Sequence, residues 1–172
     1  MNMMKLWVRI VNLVGNFLIK KFPGRAKLIE VDGKPYLHRF YLKHNGRLPG
    51  IYLHHFYQSD PDRDLHNHPW RWSFSLILTG GYYEYRHNAM HALSYLEPDV
   101  FDRKAPGFNY ITGDTFHRVV LKDLKAGAWT IFVSGPDEKD WGFFTRNGFV
   151  KHMEYLGLDK PFQDVAPNRE KV

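Results

Sequence analysis

An all-β fold, an antiparallel jelly-roll β-barrel with one amphipathic helix at its N-terminus, is the architecture this sequence predicts. Three observations carry it. Apolar residues recur at spacings of three and four as far as Lys20, then at a spacing of two beyond Pro23-Gly24, so the period changes from helix to strand. From there on, short strand-like runs alternate with Gly and Pro turns, the pattern of an antiparallel sandwich or jelly-roll barrel. The 172 residues also include thirteen Phe, ten Tyr and five Trp, enough bulky side chain for one sizeable core. Residues 1–24 are thus read as a basic amphipathic helix, 25–150 as the barrel and 151–172 as a C-terminal tail.

The elements follow in order. Trp7, Ile10, Val11, Val14, Phe17 and Leu18 make the apolar face of a helix running from about Leu6 to Lys20. Pro23-Gly24 ends it. A basic start and an apolar run also mark secretory signals. Here Arg9 interrupts the run and no small-x-small cleavage site follows, so that reading is rejected. AKLIEV and PYLHRFYL flank Asp32-Gly33, a hairpin signal. GIYLHHFYQ is the next strand, and SDPDRD is a loop. WSFSLIL, Gly80-Gly81 and YYEYR read as a second hairpin. HALSYL, FNYIT, FHRVVL and AWTIFVSG follow, divided by Pro98, Pro106-Gly107, Gly113-Asp114 and Lys125-Ala126-Gly127. WGFFT is a last short strand, VKHMEYLGL offers a turn or two of helix, and PFQDVAPNREKV is expected to be loose.

Composition excludes several function classes. There is no cysteine, so disulfides, thiolate nucleophiles and Cys-type zinc sites are out, leaving His, Asp and Glu as protein ligands. No stretch approaches the roughly 20 apolar residues that span a bilayer, and the expected location is cytoplasmic. The net charge of +6 is unevenly placed. Lys5, Arg9, Lys20, Lys21, Arg25 and Lys27 lie in residues 1–29 without an acid, and the remainder balances to zero. A uniformly basic nucleic-acid-binding surface is therefore not favoured. The basic helix needs something to cover its apolar face. Packing on its own barrel or in a homodimer is preferred to contact with a membrane surface through residues 1–24.

The chemistry concentrates in LHNHPWRWSFSLILTGG and ITGDTFHRVVL. His66 and His68 stand two apart, which on a strand aims both imidazoles at one point. His117, about 50 residues later in a second strand run, can reach the same point from a paired strand. Three neutral imidazoles with open positions opposite them make a site for a divalent first-row metal. Surface or loop histidines are the bland alternative in a chain with ten.

Reading from His66, the pattern is H-x-H-x4-S-x6-G, with Ser73 and Gly80 at its last two places. The first cupin motif runs H-x-H, three or four residues, Glu, six more, and Gly, so Ser73 stands where that Glu would be. The second runs P-x-G-x2-H-x3-N, against Ile111, Gly113, His117 and Leu121 here, with one extra residue before the His. The chain thus resembles a cupin of the three-histidine kind, with the Pro, Glu and Asn places changed. The resemblance implies a small-molecule ligand in the barrel mouth and a metal on His66, His68 and His117. Iron(II) leads, because three-histidine cupins include thiol and related dioxygenases; manganese, nickel and zinc are the alternatives.

Around the motif, other residues are weighed against plainer roles. Glu84, just past Gly80-Gly81, is a candidate fourth ligand in place of the lost Glu, although a solvent-facing strand carboxylate is the simpler reading. Asp64 shares strand parity with His66 and could orient an imidazole, or else serve the turn in DPDRD. Trp70, Trp72, Tyr82 and Tyr83 are core first, and a stacking wall for a ring or sugar second. Arg103, if inward, suits a carboxylate or phosphate; otherwise it is a solvated turn residue. Of His54-His55 at most one faces inward, because strand neighbours alternate.

Two function classes result. One is an iron(II)-dependent dioxygenase acting on a small molecule in the barrel. The other is a non-catalytic small-molecule or sugar-binding module. A metal-free sugar epimerase is weaker, since it needs a His–Asp general-base pair that the sequence does not place.

Overall fold

The computed structural model describes residues 2–43, 50–88 and 97–158. The chain opens with helix α1 (Met3–Lys21) and a 3-10 turn (Pro23–Arg25). Six strands follow: β1 (Ala26–Val31), β2 (Lys34–Lys43), β3 (Gly50–Phe56), β4 (Leu65–His66), β5 (Trp72–Thr79) and β6 (Gly81–Asn88). The remainder is β7 (Asp99–Lys104), β8 (Gly107–Thr112), β9 (Thr115–Leu121), β10 (Ala128–Ser134), β11 (Gly142–Thr145), β12 (Gly148–Lys151) and a single turn, α2 (His152–Tyr155). All strand pairs are antiparallel and form two six-stranded sheets, ordered β1-β2-β3-β10-β5-β8 and β12-β11-β4-β9-β6-β7.

The all-β, antiparallel expectation holds, but the predicted barrel does not close. Each sheet keeps its own edges, β1 and β8 in one, β12 and β7 in the other. Side chains rather than backbone ladders join the sheets. Ile77 and Ala128 from the first meet Tyr82, Val119 and Leu121 from the second in a buried cluster. The WSFSLIL–YYEYR hairpin is also corrected. β5 and β6 belong to different sheets, and Gly80 carries the chain across with φ 71°. A side chain there would meet the carbonyl of Gly127, so the glycine answers both a left-handed φ and a close backbone approach. Residues 99–104, unassigned from sequence, form β7, while HALSYL and PFQDVAPNREKV lie outside the described residues.

α1 starts three residues before the expected Leu6, capped by the Asn2 side chain, which accepts from the Met4 amide at 3.0 Å, and Lys20 and Lys21 occupy the last turn, where cations suit the helix dipole. It lies on the outer face of the first sheet, where Val11, Phe40, Leu53 and Trp129 form a cluster. Trp129 donates to Asn12 at 3.0 Å, and Trp7 donates to the Leu78 carbonyl at 2.7 Å. The apolar face read from the sequence is split. Val11 is buried and Leu18 half-buried, whereas Ile10, Val14 and Phe17 are exposed. Among the described residues no helix is long and apolar enough to cross a membrane.

Gly15 sits against the Trp129 indole, and an added Cβ would overlap the ring. Gly15→Ala should therefore destabilise the protein by roughly 1–3 kcal/mol, the usual cost of overpacking. Gly24→Ala, with nothing near its Cβ position, should change little. Urea unfolding of both variants checks the docking of α1, and equal midpoints would contradict it.

Candidate metal centre

β4 is only two residues long, but it pairs His66 directly with His117 of β9. Strand parity then turns His66 and His117 to the interior together, while His68, past the end of β4, brings its ring to the same point from the following loop. The three ring centroids are 5.1, 5.0 and 5.0 Å apart, and one nitrogen from each ring lies within 4.8 Å of the others. Nε2 of His68 and Nε2 of His117 are 2.9 Å apart. Two imidazole nitrogens that close either share an N–H···N hydrogen bond, one ring donating and the other accepting, or hold a metal between them. Ligand nitrogens about 2.1 Å from one ion stand about 3.0 Å apart at right angles and about 3.4 Å apart at a tetrahedral angle, so the observed spacing fits the former.

The protonation states also suit ligands. Burial, with the neighbouring His117 and His66 and the Arg39 charge, holds the His68 pKa well below its ordinary value. Burial lowers His66 to about 4, with Asp60 opposing and His117 adding. Both are neutral at pH 7 with lone pairs available, as metal binding requires.

Glu84 has no place on the open side of this triangle. It is fully buried, and both oxygens are taken by protein groups. Oε1 accepts from His117 Nδ1 at 3.0 Å and from Asn109 at 2.9 Å; Oε2 accepts from Arg86 at 2.8 Å and Arg103 at 3.0 Å. The fourth-ligand expectation therefore gives way to an orienting carboxylate. The physical reason is strand order: β6 pairs with β9 rather than β5, so Glu84 stands behind His117. With Nδ1–H donating to Glu84, His117 presents the Nε2 lone pair to the site. Burial raises the Glu84 carboxyl, but the hydrogen bond and charge of His117, the Asn109 amide and the Arg86 charge outweigh it and bring the pKa to about 2.

The remaining sequence candidates divide. A cavity of about 370 Å³ opens beside the three histidines, and Ser73, Trp70 and Tyr82 line it. Trp70 stacks on His68, with centroids 5.0 Å apart and an interplanar angle of 20°. Arg103 is not among the cavity's lining residues and instead serves Glu84. Asp64 precedes β4, so strand parity does not apply to it, and it accepts from Tyr155 at 3.0 Å away from the histidines. Asp60 takes the interior place, accepting from the Val119 amide at 2.7 Å and from Tyr36.

Two cavity residues escaped the sequence reading or were left open by it. Arg39 on β2 lines the cavity, rests 5.3 Å from the Tyr52 ring and donates to His54 Nε2 at 3.2 Å. Among the described residues no carboxylate pairs with it. The signal was available, since Arg39 alternates in phase with the buried Leu37 in PYLHRFYL. Of the two adjacent histidines, His54 is the inward one, stacked on Phe132 at 5.1 Å and kept neutral by burial and by Arg39. His55 faces outward and stacks on Trp129 at 4.1 Å.

No protein-family model matches the chain, and no curated protein does. Solved structures do. The iron(II) form of HppE superposes with a TM-score of 0.50 at 14% identity, over 65% of this chain and 57% of that one. An uncharacterized double-stranded β-helix protein from Klebsiella pneumoniae superposes at 0.48 with 12% identity, over 69% and 91%. The chain thus shares the fold of HppE. Streptomyces albus HEPD with 2-hydroxyethylphosphonate and Fe(II) bound gives 0.49 at 11% identity, over 83% of this chain and 30% of that one. The likeness spans only part of HppE and HEPD, and at these identities it speaks for the fold alone.

Glu84→Gln should keep the shape but weaken the orienting bond, lowering metal affinity by roughly 10–100-fold. It should also change acid stability. The folded pKa of about 2 lies below the ordinary value near ~4.3, so the carboxylate's contribution is complete above that value and disappears as pH falls through 2. Urea midpoints of the wild type should fall across this acid window more steeply than those of Glu84→Gln; parallel curves would contradict the assignment.

Proposed function

We propose that this protein is a metal-dependent cupin oxygenase, of the iron(II) dioxygenase type, acting on a small anionic molecule bound between its two sheets. The observation that carries the reading is the convergence of three imidazoles on one point at the wall of a cavity, with His117 oriented by a buried carboxylate. His66, His68 and His117 would hold the metal, leaving the cavity side open to substrate. Iron(II) is chosen over manganese, nickel and zinc for two reasons. The spacing of 2.9 Å between His68 and His117 suits right-angle better than tetrahedral ligands, which counts against zinc alone, and HppE, which shares the fold and is an iron(II) protein, favours iron over manganese and nickel. Iron(II) bound there supplies the redox chemistry that O2 requires.

The chain's own groups then divide the remaining work. Arg39 gives the cavity a permanently charged donor suited to a carboxylate, phosphate or phosphonate. His54, neutral and hydrogen-bonded to Arg39, fixes the guanidinium so that less freedom is lost when an anion binds. Trp70, Phe132 and Trp141 wall the cavity with apolar surface, which excludes water and strengthens every charge interaction inside. The epimerase reading loses ground, since among the described residues no histidine hydrogen-bonds an aspartate and the carboxylate partner of His117 is Glu84.

Elemental analysis of protein purified without chelator, then loaded anaerobically with iron(II), tests the centre. One iron per chain is expected. His68→Ala should lose affinity by more than the roughly 10–100-fold typical of removing an outer partner. Arg39→Ala should keep its iron but lose binding of small carboxylates and phosphonates in titration calorimetry. Full iron retention by His68→Ala would refute the metal assignment, and unchanged anion binding by Arg39→Ala would refute the substrate class. Oxygen uptake that depends on both iron and an anionic substrate separates an enzyme from a binding module.

A further inference from the structure

From the distribution of charge and apolar surface on α1, we infer that the protein docks on an anionic lipid membrane surface through this helix. At about 100° per residue its side chains sort into three sectors. One sector, with Val11 and Gly15 buried and Val8, Leu18 and Ile19 half-buried, lies on the first sheet. The next carries Lys5, Arg9 and Lys20, all exposed. The third is apolar and faces solvent: Leu6, Ile10, Leu13, Val14 and Phe17 are 42%, 43%, 71%, 51% and 60% exposed. This stripe runs roughly 20 Å along the helix.

The helix thus has two apolar faces, and its own fold covers only one. On the same outer side of the first sheet, Leu76 of β5 pairs with Phe108 of β8, both exposed. Bare apolar area of this kind marks an interaction site.

Charge selects the occupant. Every formal charge in residues 1–29 is positive, and the six basic residues, Lys5, Arg9, Lys20, Lys21, Arg25 and Lys27, are all exposed. In a two-fold dimer through the stripe, the same patch meets itself. Two such basic rims would then face one another without an acid on either helix. An anionic bilayer offers the opposite: apolar depth for the stripe and negative headgroups for the basic flank, the pattern of helices that lie in the membrane interface. The geometry is that of surface attachment, with the long axis of α1 in the interface plane.

Vesicle flotation with the full chain tests this. The probes are vesicles of phosphatidylcholine alone and of phosphatidylcholine mixed with phosphatidylglycerol, at low and high salt. Binding should be confined to the mixed vesicles and should fall with salt. Lys20→Ala/Lys21→Ala removes two surface cations and should weaken binding by roughly thirtyfold. Leu13→Asp/Phe17→Asp changes only exposed side chains, so it should keep the wild-type melting temperature while losing vesicle binding. No binding to the mixed vesicles, or equal binding to both kinds, would overturn the inference. So would a dimer that dissociates in Leu13→Asp/Phe17→Asp while vesicle binding is absent, since a second copy would then be the occupant.

Discussion

Glu84 is wholly inside the protein, and four side chains from four strands donate to its two oxygens. Arg86 is on β6 with Glu84 itself, Arg103 on β7, Asn109 on β8 and His117 on β9. Three of these strands belong to one sheet and β8 to the other, so the carboxylate ties the sheets together where no backbone ladder does. A buried ionised carboxylate is costly unless its lone pairs are satisfied, and here the arginines and the amide satisfy them. Arg86 reinforces the seam by donating to Asn109 at 2.7 Å and to the Tyr110 carbonyl at 3.3 Å. The same charge cluster that closes the fold therefore sets the tautomer and angle of His117. Structure and candidate chemistry share one residue, and neither can be altered alone.

The other side of the cavity answers with a different balance. The second sheet contributes His66 and His117, the latter held by a buried anion, while β2 and β3 of the first contribute Arg39 and His54. Half of the residues that line the cavity between them are aromatic side chains or histidines. Neutral histidines near a fixed guanidinium leave the pocket short of negative charge, which favours an anionic guest. Asp60 also lines the cavity, but its oxygens accept from the Val119 amide and Tyr36, which leaves Arg39 as the donor available to a guest.

Much of this was legible in the sequence, and the failures have physical causes. The third histidine could be read because strand parity is strict, and His66 does pair with His117, whereas His68 reaches the same point from beyond the end of β4. Parity also announced that only one of His54 and His55 could face inward. What parity cannot give is sheet membership. Gly80-Gly81 looks like a hairpin, yet it passes the chain between sheets, and that single difference moved Glu84 from beside the histidines to behind His117. Asp64 failed for a related reason, since β4 begins one residue later and alternation stops at its edge. Arg39 lay in a strand with clear alternation, but a basic residue in phase with Leu37 reads as an exception until the facing sheet is known. For α1, the period identified a helix, while the division of its apolar residues between sheet and solvent depended on how far Gly15 lets it settle on Trp129.

The central claim is that three imidazoles converge as ligands of one metal, with His117 held by Glu84. X-ray absorption at the iron edge of the anaerobically loaded protein addresses it directly. The expected spectrum shows three imidazole nitrogens in the first shell, with the outer-ring scattering that histidine gives, and light oxygen ligands completing it. A first shell of carboxylate and water oxygens without imidazole scattering would contradict the claim, whatever the iron content.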